Sequence, residues 1–587
     1  MRVLFLHPED LPWCGEWSQE KWDLIVDIGF AGTGIYADWS RRTGARVLSL
    51  HQFAGQTDSY RWINRVMEPG RGRLLDRMGL DWWEIAGIWN YQELQALYLV
   101  YELQREFGSA TLELAASRRH LSARLLSQTS KRPIRYFRSE TEGPLRRILR
   151  RANSAREFSL AQIAEIAFDK WDPNYRIRRH VGRRAGLDQP VVLLPSAYSN
   201  VTRIVLAYAA QLPNRRFLLA TTRRSGVPAR FPANVTSVKL AAYVLPSPHL
   251  QRETGELTKA WEVFEKGTLS QTEELRQARD AGVWAQFPAH LKNGLRLREA
   301  WKCLMEQEPV KGVLCGDDLN YYTRLPLILA KRMGLSATYC SHGALDGASL
   351  FKKPYADSHL VKGEMERDYL IRTGSVDPAG IVVSAPGDRE VPSPERSRSR
   401  CEDGAVVFFS QPYEVDGGRT EEIYREVLPG LCSLARQRKC RVLLKLHPFE
   451  SERNRGRLLQ SFLTKSDRAL VEIVSRVPAS EIMGRAWCGV GLDSSVAVEC
   501  TLKEIPFFLC GWLDFSGLGY MQQFARFGAG KVLSGPEEIV RIPDMISLYK
   551  PDRETLAGLW SPGDAAQLGE ILFAPKAHAA AHVPVER

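Results

Sequence analysis

Residues 442–448 read Val442-Leu443-Leu444-Lys445-Leu446-His447-Pro448, and residues 487–495 read Trp487-Cys488-Gly489-Val490-Gly491-Leu492-Asp493-Ser494-Ser495. Each is a short apolar run that stops at polar residues. Runs of this length bounded by turn signals suit strands buried on both faces of a parallel sheet. Pro448 cannot donate to a sheet ladder, so the first run ends at His447. In the second run Asp493 or Ser494 is a natural N-cap for the helix that should follow. Both runs therefore place their polar residues at the carboxyl edge of a sheet, where open α/β sheets bind ligands.

Working outward, Ala405–Phe409, Val471–Val474 and Pro506–Cys510 read as companion strands with helices between them. Upstream, the same rhythm appears in Val191–Leu194, Arg216–Thr221, Gly312–Gly316, Ala337–Cys340, Ser358–Lys362 and Ile381–Ser384. Ile204–Gln211 and Pro326–Met333 read as helices, with Pro326 suited to a first turn. Strands alternating with helices predict a doubly wound α/β fold with parallel sheets. Arg2–Leu6, Leu24–Ile28 and Arg46–Leu50 read as strands near the N-terminus, with Leu94–Leu103 and Leu112–Leu126 helical. The stretch Asp388–Gly404 is rich in Pro, Ser and charge and reads as a linker. The expected organisation is an N-terminal domain over 1–387 with a helical, basic insertion at about 55–185, a linker over 388–404, a C-terminal domain over 405–574 and a disordered tail over 575–587.

The chain has 587 residues, 44 % hydrophobic and 25 % charged, the balance of an ordinary globular protein. The start, Met1 to Trp13, lacks the basic and long apolar regions of a signal peptide, and no run approaches a membrane span. A cytoplasmic location follows as an expectation. Ten cysteines are scattered with no C-x-x-C pair, which predicts buried thiols and no zinc site. The net charge is +12, and residues 118–184 alone carry 18 Lys/Arg against 6 Asp/Glu. Such a stretch can rest on an anionic membrane, on the inner face of which the protein would be peripheral, or form a solvated helical face. Nucleic acid is a weaker partner, because few aromatics interleave with the basic residues and no recognition module is visible.

Four constellations carry chemistry. Lys445 lies two residues before His447 and shares its side of the strand; imidazole can hydrogen-bond or protonate a departing phosphate. Asp493-Ser494-Ser495 opens a helix whose free N–H groups suit phosphate, and Glu499 stands one turn on, where it could accept from ribose hydroxyls. Ser341-His342-Gly343 follows a strand end, and His342 there can contact a donor or act as base. Gly316-Asp317-Asp318 follows another, and either carboxylate could take a proton from an acceptor hydroxyl. Gly29-Phe-Ala-Gly32-Thr-Gly34 is a glycine-rich loop suited to shaping an acceptor cleft. The chain contains no Asp-x-Asp pair, which argues against a metal-held pyrophosphate.

The order of these motifs resembles the GT-B glycosyltransferases that carry an HP motif and a Ser-Ser/Thr motif. They include bacterial sialyltransferases and polysialyltransferases, Kdo transferases of capsule synthesis and CDP-glycerol glycerophosphotransferases. Ser341-His342-Gly343 is similar to that family's His-Gly turn, His447-Pro448 to its HP motif, and Asp493-Ser494-Ser495 with Glu499 to its Ser-Ser element. The stretch Val361-Lys-Gly363 through Thr373-Gly374 to Ile381-Val-Val-Ser384-Ala-Pro386-Gly387 resembles the crossover into the second domain, which UDP-GlcNAc 2-epimerases share.

This resemblance implies two Rossmann-like domains facing across a cleft, with a nucleotide-sugar as co-substrate and no other cofactor or metal. The donor and its phosphates would meet Lys445, Pro448, Asp493, Ser494, Ser495, Glu499, Ser410, Gln411 and Gly343. His447 and the serines would stabilise the leaving phosphate. The base is Asp317, Asp318 or His342. The implied reaction is inverting, metal-independent transfer of a sugar or sugar-like group to a surface polysaccharide or glycolipid. A 2-epimerase, or a non-catalytic scaffold in envelope assembly, would use the same architecture.

Overall fold

A computed structural model of the chain describes residues 1–7, 10–11, 14–28, 36–49, 57–87, 91–107, 112–137, 183–222, 230–244, 248–318, 321–345, 354–387, 404–411, 420–447, 450–475, 477–513, 518–546, 549 and 551–573. The glycine-rich loop 29–34, Pro448, most of the basic stretch, the linker up to residue 403 and the tail from 574 lie outside them.

The described residues form three parallel sheets with helices on their faces, the α/β architecture that the apolar runs predict. The first contains β1 (Arg2–Leu6), β2 (Leu24–Asp27), β3 (Arg46–Ser49), β4 (Glu113–Ala116) and β5 (Ile134–Tyr136), in the order β3-β2-β1-β4-β5. The second contains β6 (Val191–Ser196), β7 (Arg216–Thr221), β8 (Val235–Lys239), β9 (Val310–Cys315), β10 (Ser336–Cys340), β11 (Ser358–Val361) and β12 (Ile381–Val383), ordered β12-β11-β10-β9-β6-β7-β8. The third contains β13 (Ala405–Phe409), β14 (Val442–Lys445), β15 (Val471–Val474), β16 (Ala486–Gly491), β17 (Phe507–Cys510) and β18 (Lys531–Leu533), ordered β15-β14-β13-β16-β17-β18. In each, the chain winds outward from the first strand, then returns to that strand's other side. This reversal creates a topological switch point beside β1, β6 and β13.

The stretch read as a helical insertion also supplies two strands. Leu112–Leu126 divides into β4 and a helix, Leu121–Ser130. Four residues of β4 are too few to interrupt helical spacing, and pairing with β1 decides their conformation. The first two sheets share one hydrophobic core, closed by an aromatic cluster. Trp261 stacks on Phe287 with ring centroids 4.0 Å apart, and Trp83 lies 4.7 Å from Trp284. The buried Arg298 guanidinium pairs with Asp76 and Glu253, each at 2.7 Å, and so ties the first unit to the long helices.

Two helix readings need correction. The helix expected to start at Pro326 spans Tyr321–Arg332, with Pro326 inside it. Proline has no N–H for the carbonyl four residues earlier. That carbonyl, Tyr322 O, instead accepts from Trp301 Nε1 at 3.0 Å. The last helix, Ala565–Phe573, lies within the expected C-terminal domain over 405–574 but packs on the second sheet. Leu568 and Leu572 are buried with β6, β7 and β9, and Ser336 Oγ donates to Ile571 O at 2.7 Å. Gly312 permits this approach, since a Cβ there would lie 2.5 Å from Leu572 O. The chain thus crosses between the second and third sheets twice.

Candidate functional site

In the third sheet β14 and β16 flank β13, so the polar residues beyond all three strands meet at one carboxyl edge. Ser410 and Gln411 leave β13, Lys445 and His447 leave β14, and Asp493-Ser494-Ser495 follow β16. With its amide nitrogen toward Asp493, Gln411 donates to Asp493 Oδ1 at 2.9 Å and accepts from Ser494 N at 3.3 Å. Gln411 therefore bridges the switch point between β13 and β16. Asp493 and Ser494 precede the N-cap position, and Ser494 Oγ accepts Val496 N at 3.4 Å. The helix spans Val496–Leu502 with Ser495 at the N-cap position, and no side-chain capping bond is made there. Asp493, Ser494, Ser495 and Glu499 are all half-buried, with Glu499 in the first turn.

On the β14 side a residue that motif reading missed organises the turn. Glu450 is buried and gathers four groups. Its Oε2 accepts His447 N at 2.7 Å; its Oε1 accepts Ser410 Oγ at 2.7 Å, Arg455 Nε at 2.8 Å and Tyr424 OH at 3.5 Å. The available signal was a glutamate three residues after His447, the spacing at which a side chain reaches back to a backbone N–H, as in a capping box. Burial pushes the Glu450 carboxyl up, against the pull of Arg455. Burial lowers the His447 imidazole, and the Lys445 charge lowers it further. Lys445 is itself lowered by burial, partly offset by Glu450, and its ammonium donates to Leu446 O. This carboxyl edge therefore combines a neutral-leaning imidazole, a buried amine and two serine hydroxyls, groups able to bond phosphate oxygens.

The second sheet brings the other candidates together on the adjacent strands β9 and β10. His342 Nδ1 lies 3.1 Å from Gly316 O. A carbonyl can only accept, so Nδ1 carries a hydrogen, and in the neutral ring the lone pair is on Nε2. Asp318 is committed elsewhere: its Oδ1 pairs with the fully buried Arg324 at 2.9 Å, and Arg324 reaches Glu84 at 3.6 Å and lies over Tyr355. Asp317 is also buried and accepts from Thr323 Oγ1 at 3.5 Å. Gly343 turns the chain, and the following Leu345 is buried in the core of the third-sheet unit. The His342 turn thus leaves the second sheet and enters the other unit's core.

Among the described residues no group of three His, Cys, Asp or Glu side chains is placed to hold a metal, and no helix is long and apolar enough to cross a membrane. The nine described cysteines are free thiols, seven of them buried. Of the basic stretch, three described arginines are engaged by distant parts of the chain. Arg118 pairs with Asp10, Arg124 donates to Ala281 O, and Arg135 pairs with Glu20. The expected membrane contact falls on 118–184, of which 138–182 lie outside the described residues.

No protein-family model and no curated protein matches the sequence. Among solved structures, a UDP-GlcNAc 2-epimerase from Methanocaldococcus jannaschii in complex with UDP-GlcNAc and UDP superposes with a TM-score of 0.38 at 12 % identity, covering 65 % of this chain and 97 % of that one. The wall teichoic acid polymerase TagF superposes with a TM-score of 0.35 at 11 % identity, covering 72 % and 97 %. MurG from Acinetobacter baumannii gives 0.35 at 10 % identity, covering 65 % and 99 %. At such scores none of these likenesses decides the chemistry.

Proposed function

We propose that the protein is a GT-B-type glycosyltransferase that moves a sugar or sugar-like group from a nucleotide-activated donor to a polysaccharide or glycolipid acceptor. One observation carries this reading: His447 and Asp493-Ser494-Ser495 stand beyond the two strands that flank β13, at the carboxyl edge beside a switch point. Open α/β sheets bind nucleotides at such crevices. In this reading Ser494, Ser495 and the His447 imidazole bond the donor's phosphates, and Glu499 takes the ribose. His447 stabilises the leaving phosphate by hydrogen bonding, with no metal required. Preorganised donors aimed at developing charge are the largest single source of catalysis in such sites.

For the base we infer His342. Its Nδ1 bond to Gly316 O leaves Nε2 able to accept the acceptor hydroxyl's proton. Asp318 is held in a buried pair with Arg324, which favours a structural role. Transfer by direct displacement would invert the anomeric centre.

The deciding experiment is a calorimetric screen of CMP, CDP, UDP, GDP and their sugar conjugates, repeated with His447→Ala and Ser494→Ala. Binding to the wild-type protein that weakens in both variants supports the donor site; a protein that binds none of them refutes it. Conversion of a bound nucleotide-sugar without any acceptor would identify an epimerase instead.

A further inference from the structure

Lys362 follows β11 and is buried, only 8 % exposed. A buried ammonium is costly unless its three N–H groups are all satisfied. Here two of them serve main-chain carbonyls on either side of one residue. Nζ donates to Ser341 O at 2.6 Å and to Gly343 O at 2.7 Å, so it grips the carbonyls of the two residues that flank His342. The third faces the Glu366 carboxylate, 3.4 Å from each oxygen. With every donor engaged, this amine serves as neither nucleophile nor base.

Glu366 is the other half of the arrangement. It is 2 % exposed, and its Oε2 also accepts Lys362 N at 2.7 Å. It sits on the helix Glu364–Arg372, which belongs to two bodies at once. Leu370 packs with Val361 and Ile381 of the second sheet, whereas Met365 and Tyr369 are buried in the core of the third-sheet unit. The same helix is held there by Gln523, which donates to Met365 O and to Asp368, each at 2.9 Å, and by Tyr369 OH, which donates to Leu518 O at 2.9 Å. A displacement of that unit must carry the helix and Glu366 with it.

We propose that Lys362 is a positioning residue, braced by Glu366, that fixes the His342 turn relative to the donor-side unit. The brace explains how a base on one sheet keeps its distance to a donor held by another. It rests on the transferase reading for its purpose, but not for its geometry.

The test uses the full chain with ¹³C-labelled histidine, the His342 ring signal being assigned with His342→Gln. Lys362→Met leaves the buried Glu366 charge without the ammonium beside it, so Lys362→Met/Glu366→Gln, which removes both charges, is the companion variant. The expected result is that the double variant folds and still binds the nucleotide identified by the screen. Its His342 ring signal moves, and kcat falls roughly 10²-fold with donor KM unchanged, the scale for a misplacement of about 1 Å. A His342 signal unmoved in the folded double variant overturns the proposal, as does a moved signal with wild-type kcat. Should no nucleotide bind the wild-type protein, the transferase reading fails separately, and the ring signal alone decides the brace.

Discussion

Glu450 Oε2 accepts the backbone N–H of His447 at 2.7 Å, and the same carboxylate receives Arg455 and Ser410. His447 is therefore held from beneath by a buried ion pair that also reaches the neighbouring strand end. Glu450→Ala leaves the buried Arg455 charge without this carboxylate. Breaking such a pair costs on the order of 3–5 kcal/mol. Denaturant unfolding should show a loss of that size, and a change within experimental error would mean the pair does not brace the turn.

His447→Ala removes one donor to the leaving phosphate without touching the Glu450 network through its side chain. Turnover should fall on the order of 10²–10³-fold, with the melting temperature unchanged. Steady-state kinetics beside a thermal melt checks both halves. Wild-type turnover in a folded His447→Ala protein would remove His447 from the mechanism.

His120 gives the clearest dependence on pH. Its Nδ1 accepts Ser122 N at 3.2 Å and caps the helix Leu121–Ser130, which only the neutral ring can do. Burial, with the neighbouring His7, Arg124 and Arg118 adding to it, lowers its pKa to about 4. The unfolded chain then binds the proton more readily than the folded one. The stabilisation is complete above the ordinary histidine pKa of about 6.5 and drains away as pH falls toward 4, on the order of 2–3 kcal/mol for this half-buried ring. Asparagine caps without titrating. His120→Asn should flatten the stability curve across that window; an unchanged slope would assign it to other groups.

Gly363 lies where the second sheet hands the chain to the bridging helix. A Cβ there would sit 2.3 Å from Gly558 O, a backbone atom that cannot rotate away. Gly363→Ala should destabilise the protein by about 1–3 kcal/mol through overpacking. Chemical denaturation checks this, and a neutral effect would show that the crossing has slack.

The sequence by itself determined the strands that carry the site and the polar residues that end them. Apolar runs such as Val442–Leu446 and Trp487–Val490 are legible because burial on both faces demands unbroken hydrophobicity, and a polar stop marks the edge. It did not determine which strand ends would be neighbours. That Gln411 bridges to Asp493, that Asp318 is spent on Arg324 and that Glu450 holds His447 follow from strand order and close packing. The same holds for the bond from Trp301 Nε1 to Tyr322 O, for the return of Ala565–Phe573 to the second sheet, and for the joining of Lys362 to the His342 turn. Local composition specifies where a chain can be buried. Which partners meet there is settled when distant segments close on one another, and for buried charges by the need to satisfy every donor and acceptor.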